Sequence, residues 1–82
     1  MSARAYVLLD IDNRRVRDAA DTLRNARGVR TVDILEGSPN LVIVVQARSR
    51  QRLAEITNEA LASVESMTEN IQLLPVQGNG GI

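Results

Sequence analysis

Residues 36–45 read EGSPNLVIVV, and this stretch decides how the chain folds. A polar turn, Gly-Ser-Pro-Asn at 37–40, is followed by an unbroken aliphatic run from Leu41 to Val45. The segment LVIVVQA (41–47) is the strongest strand candidate, and VRTVDILE (29–36) alternates polar and apolar residues irregularly. Within this stretch Pro39 presets its own φ, and Asn40 tolerates positive φ. The two strands are therefore predicted to form an antiparallel hairpin.

The segments on either side of this hairpin predict further strands and helices. AYVLLDI (5–11) is a β-prone aliphatic run, and residues 13–27 carry a helical apolar stripe that ends at Gly28, with Asp12 or Asn13 as the cap. After the hairpin, Ser49 is placed to cap a second amphipathic helix. NIQLLPV (70–76) predicts a last strand. The predicted order is β-α-β-β-α-β.

That order, with right-handed crossovers, predicts an α+β, ferredoxin-like fold: a four-stranded antiparallel sheet ordered 4-1-3-2 with two helices on one face. The first and third strands are the most aliphatic, as central strands should be. The second strand carries polar residues and the fourth contains Pro75, which edge strands tolerate. Residues 1–76 are expected to form this single domain and residues 77–82, QGNGGI, a flexible tail.

The central strands are apolar on both sides, which is unusual for an open antiparallel sheet. Alternate residues of a strand point to opposite faces, so Leu41, Ile43 and Val45 oppose Val42 and Val44. Only one face can meet the helices, and the pattern alone leaves open which one. We expect a second copy to cover the other face, with a dimer interface formed by Tyr6, Leu8, Val42, Val44 and Leu74. The alternative is that these residues reflect strand propensity alone and stay partly exposed.

Composition excludes several classes of function. The 82 residues contain no cysteine and no histidine, which removes disulfides, thiolate metal sites and the commonest general base. Ten basic residues balance ten acidic ones, and the single aromatic residue, Tyr6, offers no stacking platform for RNA bases. No stretch is typical of a signal peptide or a membrane span. We expect a cytoplasmic, non-enzymatic protein without metal or cofactor that binds neither nucleic acid nor membrane.

Charged side chains near the first helix suggest little chemistry by themselves. Asp10 and Asp12 could share a proton or bind a hard cation, but a helix cap beside a solvated carboxylate is the more common arrangement. Arg14, Arg15 and Arg17 lack the glycine-rich loop that usually accompanies a phosphate site. We interpret both groups as solvated surface.

The stretch from Gly28 to Leu53 resembles the ligand-binding (RAM) domain of the Lrp/AsnC family of regulators. The resemblance rests on a Gly-Val pair, spaced apolar residues, a Gly-x-x-Asp-Leu motif before an aliphatic strand, and a leucine early in the next helix. The matching residues are Gly28, Val29, Val32, Leu35, Gly37, Asn40, Leu41 and Leu53. Asn40 stands where the family usually has aspartate, and Met67 and Glu69 stand where it often has threonines.

The resemblance implies a stand-alone module, without the helix-turn-helix, that dimerises sheet to sheet and assembles further. It implies an amino acid or related metabolite bound between subunits by Gly37, Ser38, Pro39, Asn40, Met67 and Thr68. Partners would be other copies of the chain and a full-length Lrp/AsnC-type regulator. Two alternatives remain: an assembly module without a ligand, suggested by the altered aspartate and threonine positions, and, with less support, a dimeric α+β barrel enzyme.

Overall fold

The elements follow the predicted β-α-β-β-α-β order. The computed structural model describes residues 2–76, so the tail predicted at 77–82 lies outside the described residues. In chain order the elements are the strand β1 (Ala3–Ile11), the helix α1 (Val16–Arg24), the strands β2 (Val29–Ile34) and β3 (Leu41–Ala47), the helix α2 (Arg50–Ser63) and the strand β4 (Thr68–Val76). Short 3-10 turns at Asn13–Arg15 and Glu65–Met67 precede α1 and β4.

One side chain caps the 3-10 turn that leads into α1 and another caps α2, whereas α1 itself has no side-chain cap. The Asp12 carboxylate accepts a hydrogen bond from the Arg14 amide (3.0 Å), and the Ser49 hydroxyl accepts one from the Arg52 amide (3.1 Å). α1 ends at Arg24, short of the predicted stop at Gly28, because the Asn25 side chain donates to the Asp21 carbonyl (2.9 Å) and the backbone leaves helical geometry there. Neither helix within residues 2–76 has the length and apolar character needed to cross a membrane.

The four strands form one antiparallel sheet ordered β2-β3-β1-β4, which confirms the predicted order read from the opposite edge. Along the central pair, Tyr6 lies opposite Val44 and Leu8 lies opposite Val42. On the other side of β1, Tyr6 lies opposite Leu74 of β4. The aliphatic strands β1 and β3 occupy the centre, as their composition predicts.

One face of the central strands forms the core with the two helices. Val7 and Leu9 of β1 and Leu41, Ile43 and Val45 of β3 are fully buried. They pack in one cluster with side chains from both helices and the turn before β4: Ala19, Ala20, Leu23, Ile56, Ala60, Val64 and Met67. This packing settles which sheet face meets the helices, a point that the sequence pattern leaves open.

The edge strand β4 is much less covered than the strands beside it. It begins at Thr68, two residues before the predicted start, because the 3-10 turn Glu65–Met67 leads directly into extended backbone at Thr68. α1 packs on β2, and α2 packs on β3 and β1. On the helix side of β4, Ile71 and Leu73 consequently remain 44% and 49% exposed.

Candidate functional site

The turn between β2 and β3 differs from the one the sequence predicts. Gly37 has a positive φ (96°), which glycine adopts without a steric penalty, and the Ser38-Pro39 peptide bond is cis. The chain re-enters the sheet at Asn40, whose carbonyl accepts a hydrogen bond from the Leu35 amide (2.8 Å). The turn is therefore wider than a four-residue hairpin turn.

Asn40 is buried, at 6% exposure, and its side chain binds inside the protein. Its Oδ1 accepts a hydrogen bond from the Ile11 amide (2.9 Å), and its Nδ2 donates to the Ile11 carbonyl (2.8 Å). Nδ2 also donates to Asn13 Oδ1 (3.1 Å). The Asn40 side chain thus forms the hydrogen bonds that the backbone of a neighbouring strand would form with the end of β1. A ligand role for Asn40 stays a prediction, and it would compete with these bonds.

An open cleft of about 580 Å³ lies beside this turn. The end of β1, the β2–β3 turn and the start of β4 meet around this cleft. Its polar lining consists of Asp10, Asp12, Asn13, Arg14, Ser38, Asn40, Glu69 and Asn70, with Gly37 and Ile11 completing the wall. Of the predicted ligand residues, Gly37, Ser38 and Asn40 line this cleft and Pro39 does not.

Met67 and Thr68 do not line the cleft. Met67 is 9% exposed within the core, and its carbonyl accepts a hydrogen bond from the Asp12 amide (2.9 Å). The Thr68 hydroxyl donates to the Val64 carbonyl (2.8 Å). Their place is taken by the next two residues, Glu69 and Asn70. A ligand role for Met67 and Thr68 stays a prediction with no support from the cleft.

The cleft is lined by side chains of both charges. The Ser38 hydroxyl donates a short hydrogen bond to the Asp10 carboxylate, which ties the turn to β1. Arg14 lies 3.6 Å from the Asp12 carboxylate. The hydrogen bond from the Arg14 amide, together with the guanidinium charges of Arg14 and Arg15, lowers the pKa of Asp12 although partial desolvation opposes this. Asp12 therefore stays ionised in the folded protein to lower pH than a free aspartate.

Seven residues that line the cleft are missing from the predicted site: Asp10, Ile11, Asp12, Asn13, Arg14, Glu69 and Asn70. The sequence shows Asp10 as a carboxylate near the end of an aliphatic strand, just before a helix cap. Its spacing from Asp12 alone favours a solvated side chain. Glu69 and Asn70 could be placed only once the register of β4 against β1, with Asp10 opposite Asn70, was known. No group of three acidic or other metal-binding side chains occurs among residues 2–76, so the cleft carries no candidate metal centre there.

A second feature is the sheet face that points away from the helices. The pairing of Tyr6 with Val44 and Leu74, and of Leu8 with Val42, puts all five residues of the predicted interface on this face. Tyr6 and Leu74 are 40% and 45% exposed, and Leu8, Val42 and Val44 are half-buried. We call these five residues the open-face patch. Their role as a dimer interface stays a prediction.

Several solved structures are similar to this chain. A protein of Thermus thermophilus superposes with a TM-score of 0.80 at 21% identity, covering 92% of each chain. A transcriptional regulatory protein of Pyrococcus furiosus, a member of the AsnC family, superposes with a TM-score of 0.72 at 19% identity. This match covers 92% of the present chain and 50% of the regulator, so the chain spans about half of the regulator's length.

The fold also occurs outside regulators. A Bacteroides thetaiotaomicron protein proposed to be an antibiotic biosynthesis monooxygenase superposes with a TM-score of 0.61 at 13% identity, over 93% of this chain and 88% of the other. No protein-family model matches the sequence. A search of curated proteins gives no significant match. At these identities the similarity is one of fold: the chain has the ferredoxin-like fold found in structures that include members of the Lrp/AsnC family.

Proposed function

We propose that the protein is a cytoplasmic, non-enzymatic regulatory module of the Lrp/AsnC ligand-binding type. It would pair with a second copy through the open-face patch and bind an amino acid or related small metabolite in the cleft beside Ser38. The single observation that carries the proposal is the apolar character of both faces of the central strands. The similarity in fold to an AsnC-family regulator adds support for the regulatory kind.

The open-face patch favours self-association on physical grounds. A sheet face in water normally carries polar side chains, whereas Tyr6, Leu8, Val42, Val44 and Leu74 form one apolar surface. Fully burying an aliphatic or aromatic side chain contributes about 1.5–3 kcal/mol. Residues 2–76 fold into only two layers, so a second sheet is the simplest cover. Association of two sheets would remove the patch from water.

The cleft suits a zwitterion better than a ligand of one charge. Arg14 is nine-tenths exposed at its side chain and could bind a carboxylate, while Asp10 and Glu69 could bind an ammonium group. An α-amino acid carries both charges within a few ångströms. The cleft is open on one side, which agrees with a ligand held between subunits after further assembly. A full-length Lrp/AsnC-type regulator would be the natural protein partner in such a mixed assembly.

One observation favours a second candidate function, an assembly module without an effector. Asn40, the residue expected to meet the ligand's ammonium group, uses both of its polar atoms inside the protein. The cleft would then be a solvated junction between β1, the turn and β4. The enzyme alternative has less support: the sequence lacks histidine and cysteine, and its basis is similarity in fold to a proposed monooxygenase.

Isothermal titration calorimetry of the protein with the twenty amino acids and their simple derivatives tests the effector function. We expect saturable binding of at least one compound, and a loss of affinity of about tenfold or more in Arg14→Gln, because a charged hydrogen bond to the ligand carboxylate is removed. Arg17→Gln is the matched control, since Arg17 is exposed on α1 and does not line the cleft. The absence of measurable binding for every compound tested would favour the assembly module.

A further inference from the structure

A second cavity, separate from the cleft, lies between α2 and β4 on the helix side of the sheet. This groove has a volume of about 670 Å³, within the range typical of small-molecule sites. Its apolar walls are Leu53 and Ala54 of α2 and Leu73 and Pro75 of β4. It shares no lining residue with the cleft beside Ser38.

The groove exists because α2 packs on β3 and β1 and leaves β4 uncovered. Leu73 is 49% exposed here, although its neighbours across the sheet, such as Val7, are fully buried. The groove also lies on the opposite side of the sheet from the open-face patch. Association through that patch would therefore leave the groove accessible.

A buried hydroxyl group on the groove wall lacks a partner. Thr57 is 5% exposed, and its Oγ1 is the single buried side-chain polar atom without a hydrogen bond among residues 2–76. Threonines within helices often bond the carbonyl one turn earlier, and this one does not. Rotation of Thr57 about χ1 would bring this hydroxyl to the groove, where a polar atom of a bound molecule or a water would supply the missing partner.

One end of the groove is positively charged. Arg48 and Arg50 flank the N-terminus of α2 there, and Arg4 of β1 lines the same cavity, whereas no acidic residue lines it. The first turn of α2 contains no acidic residue, and none of these arginines forms an ion pair within residues 2–76. Positive side chains at a helix N-terminus are unfavourable because the helix dipole is positive there. A bound anion would compensate this charge.

We propose that the groove binds a small amphipathic carboxylate. The alkyl or aryl body lies on Leu53, Leu73 and Pro75, the carboxylate lies beside Arg48 and Arg50, and a hydroxyl or oxo group further along the body bonds Thr57. Arg50 and Thr57 are separated by about two helical turns, or roughly 10 Å, which sets the spacing of the two polar groups. This site does not depend on the proposed effector function, since the two cavities are distinct.

Titration with decanoate, followed by NMR chemical shifts and calorimetry, tests the charged end. We expect saturable binding below about 5 mM and a weakening of about tenfold in the double variant Arg48→Gln, Arg50→Gln. The matched control is Arg17→Gln, Arg27→Gln, which removes the same charge from positions outside the groove and should change the affinity by less than about twofold. An equal loss in both pairs, or shifts confined to the open-face patch, would overturn the proposal.

Two further variants test the body of the groove. Ala54→Trp fills the groove from an exposed helix position and should abolish decanoate binding while the protein stays folded. 10-Hydroxydecanoate should bind the native chain about threefold tighter than decanoate, and Thr57→Val should remove that advantage. Retained decanoate binding in a folded Ala54→Trp chain would show that the groove is not this ligand's site and would overturn the proposal.

Discussion

The Asn40 side chain joins the start of β3 to the end of β1. The pairing of β1 with β3 ends where Leu9 lies opposite Leu41, so Ile11 lies beyond the backbone ladder of these two strands. At that point the backbone amide and carbonyl of Ile11 both bond Asn40. A side-chain amide has one donor and one acceptor group, so it matches a peptide group as a partner. Asn40 therefore completes the hydrogen bonding of a central strand where the backbone ladder cannot.

Replacing Asn40 should lower the free energy of unfolding. In Asn40→Ala the buried amide and carbonyl of Ile11 lose their partner, and we expect a loss of about 2–4 kcal/mol. Asn40→Asp keeps an acceptor for the Ile11 amide but turns a carboxylate toward the Ile11 carbonyl. Its deficit should be large at pH 7 and shrink toward pH 4, because a protonated carboxyl can donate.

Urea denaturation at both pH values measures these differences. Asn58→Ala, at an exposed site on α2, is the control and should change stability by less than about 0.5 kcal/mol. An Asn40→Asp deficit that grows as the pH falls would contradict the assigned donor and acceptor.

The role of Asn40 could not be predicted from local sequence. Its partner Ile11 is 29 residues away, and an asparagine beside glycine and proline is typical of a turn. The sequence places Asn40 in a turn, and the structure adds that its side chain is buried and bonds the end of β1. The cap residues Asp12 and Ser49 were predictable because their partners lie two and three residues away.

Among the elements, the connection from α1 to β2 depends on Gly28. This glycine has a φ of 82°, and its carbonyl accepts a hydrogen bond from the Gln46 amide of β3 (2.9 Å). A Cβ at this position would overlap Ile56 Cγ2 of α2 and lie 3.3 Å from the Gln46 carbonyl oxygen. Gly28 is thus the point at which the connection from α1 to β2 passes close to β3 and α2.

Gly28→Ala should lower the free energy of unfolding by about 2–4 kcal/mol, since backbone strain and overpacking each contribute. Gly37→Ala is the matched control: its φ is also positive, at 96°, but nothing lies within 4 Å of the added Cβ. We expect it to cost about 1 kcal/mol from strain alone. Thermal and urea unfolding of both variants measure the difference, and equal losses would contradict a packing role for Gly28.

The strands and helices were largely predictable from the sequence. Which parts of the sheet the helices cover was not. The aliphatic runs in β1 and β3 specify a central pair, and polar residues and Pro75 specify edges, so the sheet order follows from composition. The bounds of β4 and the end of α1 differ from prediction because they depend on a 3-10 turn and on one asparagine side chain. One side of β4 is uncovered because α2 packs on β3 and β1. The hydrophobic periodicity of α2 does not reveal which strands it packs on.

At the scale of the whole molecule, both faces of the central strands are apolar, and the single layer of helices covers one of them. The helices cover the face that contains Val7, Leu9 and Ile43, and the open-face patch remains. A large apolar patch on a small domain usually marks an interaction surface. Its centre lies where Tyr6 pairs with Val44, on the two central strands of the sheet. A charge placed there should therefore disrupt association without entering the core.

Val44→Glu should convert a dimer into a monomer. Val44 points away from the helices and is half-buried, so the variant should fold, whereas a carboxylate between two apolar sheets would lose its hydration without gaining a partner. We expect the dissociation constant to rise by about 100-fold or more, measured by size-exclusion chromatography with light scattering across micromolar concentrations. Ile71→Glu, at an exposed apolar position on the opposite face of β4, is the matched control and should leave the dimer intact. A native chain that is monomeric throughout this range would refute sheet-to-sheet pairing, and a dimer disrupted by Ile71→Glu but not by Val44→Glu would place the interface on the helix side.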